Sequence, residues 1–177
     1  MAQPRLNLKN ITGLLVDRDL FTRGLIAQML RGFGIEKLMV TGTGEEAKQL
    51  IHGTCPDLCF VEGALPDMAT ADFISWIRRQ GSNALRFMPV IVLSGYTQLR
   101  LIAAARDGGA NIVIRKPISP QTLFDRINWV ARVSRPFLET GHYIGPDRRF
   151  HSIPPPDSKM KRATDIPLEE LATAEAS

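Results

Sequence analysis

Of 177 residues, 44% are hydrophobic and 23% charged, with a formal net charge of +4, which suits one soluble globular domain plus an extension. Two cysteines, Cys55 and Cys59, are too few for a disulfide framework and fit a reducing cytoplasm; MAQPRLNLKN lacks the apolar core of a secretory signal, and no run nears the roughly 20 apolar residues of a membrane span. The positive charge is spread out, without a recognition-helix pair or an aromatic-basic RNA motif, so DNA and RNA are not expected partners.

In chain order, ITGLLVD is a short apolar run ending in an acid, Asp17. DLFTRGLIAQMLRGFG follows with helical spacing. Phe21, Leu25, Met29 and Phe33 recur every four residues and predict the inner stripe. Asp19 is placed to cap this helix and Gly34 to end it. KLMVT is a second strand. Thr43 and Glu46 form a capping box that opens a helix with Ala47, Leu50 and Ile51 inward. DLCFVE is a third strand, ending on Glu62 before a Gly-Ala-Leu-Pro turn. ADFISWIRRQ is a third helix with Phe73 and Ile77 on one face. PVIVLS is a fourth strand.

Thr97 opens a fourth helix that runs to Gly108-Gly109. NIVIR is a fifth strand. Ser119-Pro120 marks the start of a fifth helix, with Leu123, Phe124, Ile127, Val130 and Ala131 inward. Five near-continuous apolar strands alternating with five helices predict a parallel sheet buried on both faces. The expected domain spans 9–134. In such a sheet the functional site lies at the carboxyl ends of the strands, where Asp17, Glu62, Ser94 and Lys116 fall.

Beyond Arg135-Pro136 the periodicity stops, and 135–177 is expected to be an extended, partly disordered tail. DIPLEELATAEA has the pattern of one short helix. Phe137, Tyr143, Ile144 and Phe150 are too many large apolar groups for a pure linker, so the segment through Phe150 is expected to fold back on the domain or onto a partner. Arg148 and Arg149 are candidate clamps for an anion or carboxylate.

VDRD after strand one, an acid ending strand three, LSG after strand four and Lys-Pro after strand five together resemble the receiver domain of bacterial two-component response regulators. The tail's GPDRR is similar to stretches in receiver proteins of alphaproteobacteria. The resemblance implies a flavodoxin-like α/β fold with strand order 2-1-3-4-5. It also implies a chemistry: two acids after strand one help hold magnesium, an aspartate ending strand three takes a phosphoryl group from a histidine kinase, and a Ser/Thr and a lysine contact its oxygens. Asp17, Ser94 and Lys116 match this pattern. Arg18 stands at the second acid, Glu62 at the phospho-accepting aspartate, and Val113 at the usual aromatic of strand five.

These departures price the expected chemistry. Asp17 and Glu62 against Arg18 and Lys116 sum to about zero, so magnesium on Asp17 and Glu62 is expected to be weak or absent unless Asp19 turns inward. No other cofactor is expected. Glutamate carries its carboxylate about 1.5 Å farther than aspartate, a poor position for in-line attack. Glu62 then either mimics a phosphoryl group or plugs the pocket by pairing with Arg18 or Lys116. Ser94 has no neighbouring His, so no enzyme is expected. The expected function is that of an atypical, stand-alone receiver, a pseudo-receiver acting by protein–protein contact with other signalling proteins. Its surface is the fourth helix, fifth strand and fifth helix, with Leu99, Arg100, Arg115 and Arg126 as contact candidates and a homodimer as one use of that face. The alternatives are a receiver whose arginines bind a cyclic dinucleotide and a residual phosphorelay acceptor. His52, Cys55 and Cys59 have a zinc-like spacing, but a mid-strand Cys59 reads as core.

Overall fold

The computed structural model describes residues 8–80, 82–95, 99–133, 135–140 and 142–147. Five strands, β1 (Thr12–Val16), β2 (Lys37–Thr41), β3 (Leu58–Glu62), β4 (Val90–Ser94) and β5 (Ile112–Arg115), form one sheet in the order β2-β1-β3-β4-β5. Every pairing is parallel. The fold is the doubly wound arrangement expected from the apolar strands, in the flavodoxin-like order that the resemblance implies.

Alternate residues of each strand feed two separate cores. Leu14, Val16, Cys59, Val61, Val90 and Val92 pack with Ala47, Phe73, Ile77 and Ala105 on one side. Leu15, Phe60, Ile91, Leu93 and Ile114 pack with Ile26, Leu30, Leu123 and Ile127 on the other. The helices are α1 (Leu20–Gly32), α2 (Gly44–Gly53), α3 (Thr70–Arg78), α4 (Asn83–Phe87), α5 (Leu99–Asp107) and α6 (Pro120–Arg132).

Among the described residues, six helices stand where five were expected in the domain. The extra one, α4, is a short turn of helix between α3 and β4; its five residues are too few for a 3.6-residue period to register. The predicted fourth and fifth helices are α5 and α6, and Thr97 lies outside the described residues.

The inner stripe of α1 is also corrected. Phe21 is 80% exposed and Leu25 44% exposed, while Ile26, Ala27 and Leu30 are buried. Met29 and Phe33 of the predicted stripe do pack against this core, so spacing alone finds half of the inner face and misplaces its centre. In α2, Ala47 and Ile51 are buried but Leu50 is at the surface. In α6, Leu123 and Ile127 are buried, Phe124 and Val130 are partly covered, and Ala131 is exposed.

Part of the segment after α6 is folded. β6 (Phe137–Glu139) and β7 (Ile144–Pro146) form an antiparallel hairpin. The Phe137 ring meets Phe87 edge-on at 4.9 Å between centroids, and Glu139 pairs with Arg86. Gly145 lies against Gly109, where an added Cβ would come within 2.7 Å of the Gly109 Cα. The hairpin therefore sits at the amino-terminal edge of the sheet, opposite the end where the family site falls. Phe150, Arg148, Arg149 and the predicted short helix beyond lie outside the described residues.

Candidate functional site

Parallel register brings the strand ends level. Val16 pairs with Val61, Glu62 with Leu93 and Ser94 with Arg115, so Asp17, Glu62, Ser94 and Lys116 converge at one edge. Asp17 is fully buried, Glu62 is 8% exposed and Ser94 4%. A buried carboxylate is costly unless compensated, and here the compensation comes from cations of the same site.

Lys116 Nζ lies 2.6 Å from Asp17 Oδ2 and 3.8 Å from Glu62 Oε1. The lysine thus binds the strand-one acid and reaches Glu62 only as a longer ion pair. Glu62 turns its other oxygen to Arg18: Oε2 accepts from the Arg18 backbone N–H at 3.2 Å and lies 3.7 Å from its Nε. The Arg18 side chain is 48% exposed, so this contact is screened by water, whereas the Lys116–Asp17 pair is sheltered.

Asp19 faces away. Its carboxylate accepts the Thr22 N–H at 2.7 Å and caps α1. The Thr22 hydrogen bonds hold it below the ordinary aspartate value. Its backbone N–H donates instead to Asp17 Oδ1 at 2.9 Å.

Several supporting residues escaped sequence reasoning. Thr70 Oγ1 donates to the Glu62 carbonyl at 2.8 Å and fixes the end of β3. Arg23 Nη1 donates to the Asp17 carbonyl at 3.1 Å; its place one turn after Asp19 was the available signal. Gly63 has no room for a side chain, because a Cβ there would stand 2.7 Å from Ser94 Oγ. Asp67 accepts the N–H groups of Gly44 and Glu45 at 2.9 Å each, capping α2 from the β3–α3 loop. Burial would raise its pKa, but these bonds outweigh it and the net shift is downward.

The expected contact residues are on the surface. Leu99 is 46% exposed, and Arg100, Arg115 and Arg126 are exposed along α5, β5 and α6. Cys59 is buried, which pushes its thiol up to about 12, and Cys55 is exposed. No cluster of three metal-ligating side chains occurs among the described residues. Trp76 is half-buried under His52 and Lys48.

Arg78 is the least expected finding. It is 1% exposed, and burial lowers its pKa to about 10. Its guanidinium donates to the carbonyls of Arg86 (3.0 Å), Met88 (2.6 Å) and Gly109 (2.8 and 3.1 Å) and to Asn111 Oδ1 (3.1 Å). The Phe137 ring covers it, 5.1 Å from the ring centroid to Cζ.

A family model for the response regulator receiver domain matches residues 14–128. The chain belongs to that family. It is 32% identical over 114 residues to the transcriptional regulatory protein PdtaR of Mycobacterium tuberculosis, a match covering 64% of this chain and 53% of that one. The chain thus spans about half the length of the curated relatives it matches. Among solved structures, a putative response regulator from Chloroflexus aurantiacus superposes with a TM-score of 0.63 and 28% identity, covering 69% of this chain and 98% of that one. The chemotaxis response regulator CheY4 of Vibrio cholerae shares the fold, with a TM-score of 0.62 at 22% identity over 68% of this chain and 98% of that one. No described helix is long and apolar enough to cross a membrane.

Proposed function

We propose that this chain is a pseudo-receiver: a cytoplasmic signalling protein whose phosphorylation pocket is held closed by its own ion pairs and whose output is protein–protein contact. The observation that carries this is the pairing of Lys116 with Asp17 at 2.6 Å while Glu62 engages Arg18. A phosphoryl mimic would instead draw the lysine onto residue 62. Glu62 acts here as a plug, and residue 62 transfers no phosphoryl group.

The donor set does not fit magnesium. A hard dication needs several carboxylate oxygens free of other cations. Asp17 already holds an ammonium, Glu62 faces Arg18, and Asp19 is committed to capping α1. The output face is α5–β5–α6, where exposed Leu99, Arg100, Arg115 and Arg126 offer one apolar anchor among cations. Such a face suits a signalling partner with an acidic rim, or a second copy of the chain.

Incubation with acetyl phosphate followed by intact-protein mass spectrometry tests the closed pocket. The expected result is an unmodified mass. A single phosphoryl adduct that disappears in Glu62→Ala would establish a residual phosphorelay acceptor instead.

A further inference from the structure

A cavity of about 180 Å³ lies between α5, β5 and the β6–β7 hairpin. It shares no lining residue with the pocket of Asp17 and Glu62. Ile102, Val113 and Pro146 contribute apolar wall, Tyr143 a phenol, and Arg106 and Arg135 two cations. The side chain of strand-five Val113 is short, which leaves room there.

The cations belong to different parts of the chain. Arg106 is exposed on α5. Arg135 follows α6 and is tethered: Nη1 donates to the Asn111 carbonyl at 3.1 Å and Nη2 to the Asp147 carbonyl. Burial holds Arg135 below its ordinary value, and the like charge of Arg106 lowers it further, while Tyr143 and Asp147 oppose the shift. Arg106 and Arg135 are the charged residues of the cavity lining. Asp107 lines a separate, smaller cleft with Arg78 and Arg79.

The geometry points to a binding site for a small aromatic acid: one ring against Ile102, Val113 and Pro146, and one carboxylate or phosphate between Arg106 and Arg135. The volume sets the class. Apolar cavities of about 150 Å³ accommodate benzene, so one ring with an acidic group fills this space, and a cyclic dinucleotide is far too large. An anion between the two guanidinium groups offsets their repulsion and gains charge-assisted hydrogen bonds. A ligand there touches α5, β5 and the hairpin at once, tying the segment after α6 to the face proposed for output.

Titration of the full-length protein with benzoate, phenyl phosphate and inorganic phosphate, followed by amide NMR shifts, tests the site. Both aromatic acids should give saturable shifts confined to residues 102–113 and 135–146, with inorganic phosphate weaker by about tenfold or more. Val113→Phe fills the cavity and Arg106→Ala removes the exposed cation; each should weaken both aromatic acids by about tenfold or more. No saturable shift by about 10 mM with either aromatic acid would overturn the proposal. So would unchanged affinity in both variants, or inorganic phosphate binding as well as the aromatic acids, which would reduce the site to a surface pair of cations.

Discussion

The two ends of the sheet handle buried charge in opposite ways. At the carboxyl end, Asp17 and Glu62 are answered by the side-chain cations Lys116 and Arg18, each assisted by one backbone N–H, from Asp19 and Arg18. At the amino end, Arg78 is answered mainly by backbone. The carbonyls of Arg86 and Met88 lie at the end of α4, Gly109 lies just past α5, and Arg78 itself ends α3. Helix carboxyl termini carry partial negative charge and unsatisfied carbonyls. From the end of α3, one guanidinium thus closes the ends of α4 and α5 together, and the hairpin covers it. The Arg18–Glu62 contact is half exposed and exchangeable at little cost, so that part of the carboxyl end is where chemistry can drift. A cation bound to main-chain carbonyls cannot be removed without stranding them, so the amino end is structural.

Substitution at Arg78 should therefore be the most damaging change. Arg78→Met strands several buried carbonyls and is expected to cost about 3 kcal/mol or more, a fall in melting temperature of roughly 6–12 °C for a chain of this size. A melting point within about 2 °C of the parent would remove Arg78's structural role. Gly145→Ala comes next. Its Cβ would stand 2.7 Å from the Gly109 Cα, backbone against backbone, so the hairpin must shift. The expected cost is about 2 kcal/mol, with faster hydrogen exchange at 137–146; unchanged exchange there would mean that the hairpin is not held by this contact.

Asp67→Asn, at the carboxyl end, should cost about 1 kcal/mol at neutral pH. Against the upward push of burial, the N–H groups of Gly44 and Glu45 hold the folded-state pKa of Asp67 below the ordinary aspartate value of 3.8, so its charged form stabilises the fold above that value. This contribution fades as pH falls through the folded-state pKa, and the gap between parent and variant in urea melts should narrow below pH 3.8. A gap that stays constant to lower pH would show that the charge is irrelevant. The smallest effect belongs to Arg18→Ala, under about 1 kcal/mol because the side chain is half exposed. A loss as large as that of Arg78→Met would erase the contrast between the two ends.

The strands were legible because each is a nearly unbroken apolar run, and their order because the motifs at the strand ends resemble the receiver family. Asp17, Glu62, Ser94 and Lys116 were legible because each sits one step from such a run. The buried face of α1 was not, since Phe21 and Leu25 compete with Ile26 and Leu30 for the core and only the angle of the helix on the sheet decides. Arg78 was not, because a charge in an amphipathic helix normally marks its wet face. Its burial depends on the carbonyls of α4 and α5 meeting at one point, which no local pattern carries. The hairpin strands are three residues each, too short for alternation to show.

The central claim is that the family pocket is closed by its own ion pairs. Magnesium titration of the parent and of the double variant Arg18→Asp with Glu62→Asp, followed by amide NMR shifts of residues 17–19 and 62–63, tests it most directly. The parent should show no saturable response below several millimolar, roughly the weak end of oxygen-ligand sites. The double variant, with an added acid and without the Arg18 cation, should saturate. Sub-millimolar magnesium binding by the parent would mean that the Lys116–Asp17 pair opens readily, and the closed pocket would be contradicted.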